Sequence, residues 1–397
     1  MRGRPRVRVA SLAAVVGLVL CATVAAGSWL MGPVEWNDSD SLFYEAQRLE
    51  LLGRTADEAR FEVFSSDKAQ SVAVNEDDAD PPHVLNPTWV EYSAQFYRRR
   101  WTVPLIGAWL DPALGEHSLE VASFLGYLAL GPSLFLLLVR RYSRRTSFLV
   151  AAFCLILPPV HKWSTFMGVD SWGLVFEVLA FVGLLCVAER GLRWLPLWIG
   201  AMLALSFTRD AAIALLLGVC WIAWRQRRSK PSRARNAVLF LTGIAAALPA
   251  VLLFRASLRD QLAYVIGNYY VPTDPSWSYV LRGYPGQIRA TMVRDLGYPL
   301  DFPLMAAVPI YVGMAALVAL VVVFLLRAPH VPYFDVHRGA VIGYAVFLAF
   351  AANPQGYRLE LVALPTLAVA LAWGADVGPN WLRTRRPRTG VAVTAPS

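Results

Sequence analysis

Hydrophobic residues in this chain form long runs that are separated by short polar stretches. A run of roughly 18 or more apolar residues is long enough to cross a bilayer as a helix. The pattern therefore predicts an all-α polytopic membrane protein, one integral-membrane domain over residues 1–397 with about ten transmembrane helices. The predicted spans are Val9–Met31, Leu119–Val139, Phe148–Val160, Ser171–Ala188, two helices within Trp194–Trp224, Asn236–Phe254, Leu304–Leu326, Gly339–Ala352 and Leu359–Trp373.

The run Trp194–Trp224 is too long for one tilted span, and it carries Thr208-Arg209-Asp210 at its centre. An arginine at mid-bilayer costs about 2.5–3.5 kcal/mol even on the more lenient insertion scales. Two shorter helices that meet at Arg209 avoid this cost, so the sequence predicts a break there.

Basic residues set the predicted orientation. Arginines lie before the first run and in the short loops after the second, fourth, sixth and eighth spans, and the positive-inside rule then puts both termini in the cytoplasm. The basic start and the small residues after Val24 also fit a cleaved signal peptide. The length of the apolar run favours an uncleaved first span. We expect a multi-pass protein of the plasma membrane.

Two polar blocks are predicted outside the membrane, at residues 32–117 and 255–303. The first is a long outer loop with juxtamembrane, interfacial helices that begin near Trp36. Its middle, Thr55–Pro87, is polar and contains Pro81-Pro82, which favours a partly mobile loop. The Arg98–Arg100 triplet near its end is interpreted as a face that contacts lipid headgroups.

The amino-acid composition agrees with a membrane protein and argues against a soluble, nucleic-acid-binding or disulfide-rich one. The chain is 56% hydrophobic and 16% charged, with a mean hydropathy of +0.45, which is too apolar for a soluble protein of this length. The net charge of +9 is divided among loops rather than gathered on one face, which argues against nucleic acid as a partner. The four cysteines lie in apolar runs without CxxC spacing, so neither a zinc site nor a disulfide framework is indicated.

Under this topology, most polar candidates for chemistry collect at the outer mouth of the bundle rather than along the spans. Carboxylates that face arginines are typical of sites that bind an anion and take up a proton, or that hold a divalent cation. The candidates are Asp38, Asp40, His161, Asp170, Arg209, Asp210 and Arg358.

Each candidate also has a structural interpretation. Asp38, Asp40 and Asp170 are placed to cap a helix or to complement its dipole. Arg209 beside Asp210 is consistent with an ion pair that fixes the helix break. Arg358 is consistent with a side chain that extends to the interface from the end of a span.

With these residues in view, the chain resembles the GT-C superfamily of integral-membrane glycosyltransferases. Asp40, Tyr44 and Ala46 have the spacing of that family's D-x-x-x-Y-x-A start, and YRLELVALP, which contains Arg358, is similar to a late span of the family that carries Arg, Leu and Pro. The segment SFTRDAAIALLLG is similar to its broken helix pair. This sequence has Asp38-Ser39-Asp40 where some branches have an Asp-Glu pair.

The resemblance implies transfer of a sugar from a polyprenyl-phosphate donor to an acceptor hydroxyl on a glycan, lipid or protein, at the outer face of the cell envelope. Asp40 would then be the general base, with Asp38 and Asp170 as further catalytic candidates. Arg209, Arg358, Tyr44 and His161 would bind the substrate or its phosphate. No cofactor is required by the pattern, although Asp38 and Asp40 could hold Mg²⁺ or Mn²⁺.

Two other classes of protein remain open at this point. One is a transporter or flippase of a lipid-linked or anionic substrate, for which polar residues at mid-depth along the spans would be expected. The other is a non-catalytic membrane scaffold whose aromatic outer loops bind a partner.

Overall fold

The computed structural model is helical throughout the residues it describes, and no strand occurs among them. Those residues are 19, 22–24, 27, 39–76, 83–165, 168–209, 211–253, 257–267, 270–272, 275–297, 304–351 and 360–384. Most of the predicted first span Val9–Met31 therefore lies outside the described residues. So do Asp38, Asp210 and the predicted outer turn 353–358.

A helical cap precedes the main bundle. It consists of α1 Ser39–Leu51, α2 Ala56–Phe64, α3 Asp67–Glu76 and α4 Pro87–Tyr97. The prediction of a loop over Thr55–Pro87 is wrong for most of that segment, because α2 and α3 lie within it. Thr55 and Glu58 form a reciprocal capping box at the start of α2. Buried small and branched residues such as Val63 and Val72 then attach both helices to α1.

The rest of the described chain forms a bundle and its connections. These helices are α5 Thr102–Leu114, α6 Ser118–Leu138, α7 Arg144–Leu155, α8 Pro158–Thr165, α9 Asp170–Arg190, α10 Leu195–Ser206, α11 Ala212–Arg225, α12 Lys230–Leu253, α13 Leu258–Ile266, α14 Trp277–Gly297, α15 Leu304–Arg327, α16 Pro332–Ala351 and α17 Leu364–Thr384.

Helix α9 lies at the centre of the bundle and packs against α6, α10, α12, α16 and α17. Apart from Glu177 and the polar residues at its ends, its sequence is apolar all round, which is typical of a helix surrounded by other helices. Most of its side chains are buried, and Phe181, Leu184 and Leu185 are completely enclosed. At Gly183 an added Cβ would lie 2.8 Å from the backbone nitrogen of Trp198, so glycine is what permits α9 and α10 to approach so closely.

Helices α11 and α16 make another close contact through small residues. Ala214 and Gly218 lie one turn apart on α11, and Gly339 and Gly343 lie one turn apart on α16. A Cβ at Gly339 or Gly343 would overlap the backbone of α11. This small-xxx-small pairing is a frequent way for membrane helices to gain van der Waals contact.

The second polar block joins the cap. Tyr264 on α13 stacks on Phe96 of α4 with ring centroids 4.9 Å apart, and its hydroxyl lies 2.8 Å from the Ser93 hydroxyl. On the other side of the cap, buried Arg48 on α1 pairs with Glu45 and with Asp111 of α5. The two blocks predicted as separate outer loops therefore pack on each other.

Among the described residues, three helical segments are long and apolar enough to cross a membrane: Thr102–Leu138, Asp170–Arg190 and Pro231–Leu253. Shorter apolar helices occur at Leu192–Ser206, Ala212–Arg225, Tyr311–Arg327 and Leu361–Asp376. Together these helices suggest a membrane protein. The total of ten spans and the orientation stay predictions.

Some predicted spans have different boundaries in the structure. Trp194–Trp224 is divided into α10 and α11 with the break at Arg209, as predicted. Phe148–Val160 is not one helix, because α7 ends at Leu155 and α8 starts at Pro158. The segment before Gly339, predicted as a polar loop, already belongs to α16. Its Arg338 is buried and donates to the carbonyls of Leu325 and Ala328 at the end of α15.

Candidate functional site at the cap–bundle junction

Asp40 lies in the first turn of α1 and is only 8% exposed. Tyr97, the last residue of α4, donates a hydrogen bond from its hydroxyl to Oδ1 of Asp40. The Gln47 amide in turn donates to the Tyr97 carbonyl at 2.6 Å, which fixes the end of α4 against α1. The Asp40 carboxylate is therefore held in place by the cap.

Arg100 lies on the opposite side of this carboxylate. Its Nη1 is 4.0 Å from Asp40 Oδ2 and donates to the Tyr44 hydroxyl at 3.0 Å. The guanidinium also lies over the Tyr97 ring, 5.0 Å from its centroid. Tyr44 reaches the same point because it follows Asp40 by one helical turn on α1. We call Asp40, Tyr44, Tyr97 and Arg100 the Asp40 cluster.

The electrostatics of the cluster keep its donors protonated. Burial of the Tyr97 hydroxyl, and then the nearby Asp40 charge, raise the pKa of Tyr97 well above its ordinary value. Burial by itself would lower the pKa of Arg100, but the oxygens of Tyr44 and Asp40 outweigh that effect and raise it. At neutral pH the Asp40 oxygens therefore face a phenolic donor and a permanent cation.

Asp170 and Arg209 form a second polar group. The guanidinium Nη1 lies 2.8 Å from Asp170 Oδ1, and their side chains are 3% and 9% exposed respectively. Arg209 reaches this position from the break between α10 and α11. It passes over Gly173, where an added Cβ would lie 3.3 Å from its Cβ and Cδ. Two residues that the sequence assigned to different roles are therefore an ion pair.

The Asp40 cluster and the ion pair meet at one junction. The Trp101 amide donates to the Phe207 carbonyl at 3.0 Å, and the hydroxyls of Thr102 and Thr208 are 2.6 Å apart. These contacts join the residues after Arg100 to those before Arg209. Tyr44 and Val169, which precedes Asp170, also belong to one buried apolar cluster. We call this region the cap–bundle junction.

A small cleft opens beside the Asp40 cluster. Its cavity volume is about 50 Å³, and Phe43, Gln47, Tyr97, Arg98 and Trp101 are among the residues that line it. The Gln47 Oε1 atom is buried and has no hydrogen-bond partner within the described part of the chain. A cleft of this volume suits water and small polar groups.

Of the other predicted site residues, only His161 lies among the residues that the structure describes. His161 on α8 lies edge-on to Tyr127, with ring centroids 6.2 Å apart. Arg358 lies outside the described residues, so its predicted approach to Asp40 stays a prediction, and Asp38 lies outside them as well. Across the described ranges, no three His, Cys, Asp or Glu side chains gather in a way that could hold a metal ion.

Sequence reasoning missed Arg100 and Tyr97. The Arg98–Arg100 triplet was assigned as a whole to lipid headgroups, but in the structure only Arg98 is exposed while Arg99 is buried. Three consecutive residues cannot share one face of a helix or turn. That geometric fact was the signal that at least one of these arginines points inward.

Buried polar residues inside the bundle were also missed. Glu177 on α9 and His337 on α16 are 1% and 0% exposed. The prediction that most polar candidates collect at the outer mouth therefore missed these two residues of the bundle core. A lone glutamate in the apolar run of α9 was an available signal, because an ionisable residue in such a helix usually has a function.

No protein family model matches the chain, and no curated protein matches it at a significant level.

Proposed function

We propose that this protein is an integral-membrane glycosyltransferase that moves a sugar from a polyprenyl-phosphate donor to an acceptor hydroxyl at the extracytoplasmic face. The observation that carries the proposal is the Asp40 carboxylate, which is buried at the cap–bundle junction with Arg100 beside it and the Asp170–Arg209 pair close by. A fixed carboxylate next to guanidinium groups is suited to remove a proton from one group while a neighbouring anion is stabilised.

In the proposed reaction, Asp40 takes the proton from the acceptor hydroxyl as its oxygen attacks the anomeric carbon of the sugar. The bond from that carbon to the phosphate oxygen breaks, and the lipid phosphate leaves with the electron pair. Because Tyr97 occupies Asp40 Oδ1, the acceptor would approach Oδ2, on the side of Arg100. Arg100 and Arg209 would bind the phosphate, together with Arg358 if the resemblance to the GT-C pattern holds.

A positioned general base typically contributes a factor of about 10²–10⁴ to the rate. We therefore expect Asp40→Asn to reduce sugar transfer by about that factor while the protein stays folded. Asp57→Asn is the matched control, because Asp57 is an acid of the same cap whose side chain is 92% exposed. This control should transfer sugar at the wild-type rate.

The assay uses purified full-length protein and a panel of radiolabelled polyprenyl-phosphate sugars, with and without a chelator. Loss of transfer in the chelator arm would assign a divalent cation to the reaction. Equal transfer by wild type and Asp40→Asn would remove Asp40 from the mechanism. Absence of transfer in the wild type across the whole panel would count against the glycosyltransferase proposal itself.

A transporter of a lipid-linked or anionic substrate is the second candidate. Glu177 and His337, both buried at the bundle core, favour it, because ionisable residues inside membrane helices are typical of transport pathways. Wild-type protein in liposomes that moves a fluorescent polyprenyl-phosphate lipid across the bilayer, but transfers no sugar, would support this alternative.

A further inference from the structure

Glu177 is a carboxyl group in the interior of the bundle with no described function. It lies seven residues after Asp170 on α9, two turns along the same face. Its side chain is buried, and its Oε1 atom has no hydrogen-bond partner among the residues that the structure describes. The groups that act on it electrostatically are Tyr344 from α16 and Arg209 from the α10–α11 break.

Further polar groups continue from Glu177 through the core. The Tyr344 hydroxyl faces both the Glu177 carboxyl and the Thr366 hydroxyl of α17. Tyr344 Oη is buried, and beyond these two neighbours it has no hydrogen-bond partner in the described part of the chain. Thr366 Oγ1 lies 2.9 Å from His337 Nδ1.

The far end of this series is His337. Its ring stacks on Phe181, with centroids 4.8 Å apart, one turn beyond Glu177 on α9. Its Nε2 atom is also buried without a hydrogen-bond partner in the described ranges. Leu134 of α6 and Met202 of α10 belong to the same buried apolar core as Phe181 of α9. We call Asp170, Arg209, Glu177, Tyr344, Thr366 and His337 the polar track.

The charges of the track do not balance if both of its acids are ionised. Asp170 already lies 2.8 Å from the guanidinium of Arg209. A second ionised carboxylate on the same helix would leave a net negative charge in an apolar core, which costs several kcal/mol per unpaired ion. One proton shared by the two acids and the arginine removes that charge. Glu177 would hold this proton, because Asp170 is the acid that pairs directly with Arg209.

We propose that Glu177 is a proton-binding site, and that the polar track carries its exchangeable proton through the core of the bundle. The orphaned atoms of Glu177, Tyr344 and His337 are donors and acceptors that a relayed proton or a water molecule would use. The proposal goes beyond sugar transfer, since Glu177 has no assigned part in that reaction and its test needs no turnover.

The test is infrared difference spectroscopy of the purified full-length protein in lipid, recorded at neutral pH and then through an alkaline titration. We expect the carbonyl stretch of a protonated carboxylic acid at neutral pH, lost at higher pH and shifted in D₂O. Glu177→Gln should abolish this band. Tyr344→Phe should shift its frequency, because the hydroxyl that faces the carboxyl is removed.

Glu189→Gln is the matched control. Glu189 lies at the exposed end of the same helix, where it pairs with Arg140 at 2.6 Å, and its replacement should leave the band unchanged. A wild-type spectrum without the acid band at neutral pH would overturn the proposal. So would a band that persists in Glu177→Gln, or a carboxylate band that responds to Na⁺ instead of to pH.

Discussion

The Asp170–Arg209 ion pair offers a quantitative test of how this bundle is held together. Both side chains are at least nine-tenths buried, and the two atoms of the contact are 2.8 Å apart. Removal of one partner leaves a buried charge without its closest counter-ion. Such single removals cost about 3–5 kcal/mol, whereas replacement of both partners is often close to neutral.

The perturbation is a double-mutant cycle with Asp170→Asn, Arg209→Gln and the double variant. We expect about 3–5 kcal/mol of destabilisation for Arg209→Gln and less for Asp170→Asn, because Glu177 can ionise and replace Asp170 as the counter-ion of Arg209. The double variant should cost about 1 kcal/mol, since two amides can still hydrogen-bond to each other. The coupling energy is then several kcal/mol.

The assay is unfolding of the purified protein by SDS in mixed micelles, followed by the fluorescence of its fourteen tryptophans. Asp57→Asn, on the exposed surface of the cap, is the control for loss of a carboxylate. It should leave the midpoint of SDS unfolding unchanged. In a Glu177→Gln background, the destabilisation caused by Asp170→Asn should rise to about 3–5 kcal/mol, the value expected for Arg209→Gln.

Additive single effects, with a coupling below about 0.5 kcal/mol, would refute the view that these two charges are each other's main partner. A larger cost for Asp170→Asn than for Arg209→Gln would refute the assigned role of Glu177 as substitute counter-ion.

Two further predictions concern packing and pH. A Cβ at Gly343 would overlap Ala214 Cα of α11, so Gly343→Ala should destabilise the bundle by about 1–3 kcal/mol. The control Gly200→Ala meets no atom and should stabilise α10 by about 0.5–1 kcal/mol in the same SDS assay. Burial, and then the charge of Asp260, raise the pKa of Tyr92 to about 12. The folded state therefore holds the Tyr92 proton more tightly than the unfolded state does. The contribution of Tyr92 to the free energy of unfolding is complete below about pH 10, and it is lost as the pH rises towards 12. Tyr92→Phe should flatten that part of the stability profile, and an unchanged slope would contradict this assignment.

Hydrophobic periodicity was sufficient to predict a helical chain with helices apolar enough to cross a membrane, and the central arginine predicted the break at Arg209. Both follow from local chemistry, because a run of apolar residues has few alternatives and a central arginine is costly in any intact span. Hydrophobic periodicity did not predict helices α2 and α3 within residues 55–87. Small residues there, such as Ala59 and Ala73, are buried by contact with α1, and that contact is not visible in a polar local sequence.

Asp40, Tyr44, Asp170 and Arg209 were selected from residue type and position along the chain, and the structure gathers all four at one junction. Their partners were not predictable in the same way. Arg100 reaches Asp40 only because the end of α4 returns to the start of α1, about 60 residues away in sequence.

The sequence by itself determined which segments are apolar enough for the bundle and which ionisable residues such segments carry. Only the tertiary structure decided how those residues pair: that Asp170 neutralises Arg209, that Tyr97 donates to Asp40, and that the Glu177 carboxyl faces Tyr344. The reason is physical. Hydrophobicity acts residue by residue along a helix, whereas the ionisation of a buried group depends on charges and hydrogen-bond donors that other helices bring to within a few ångströms.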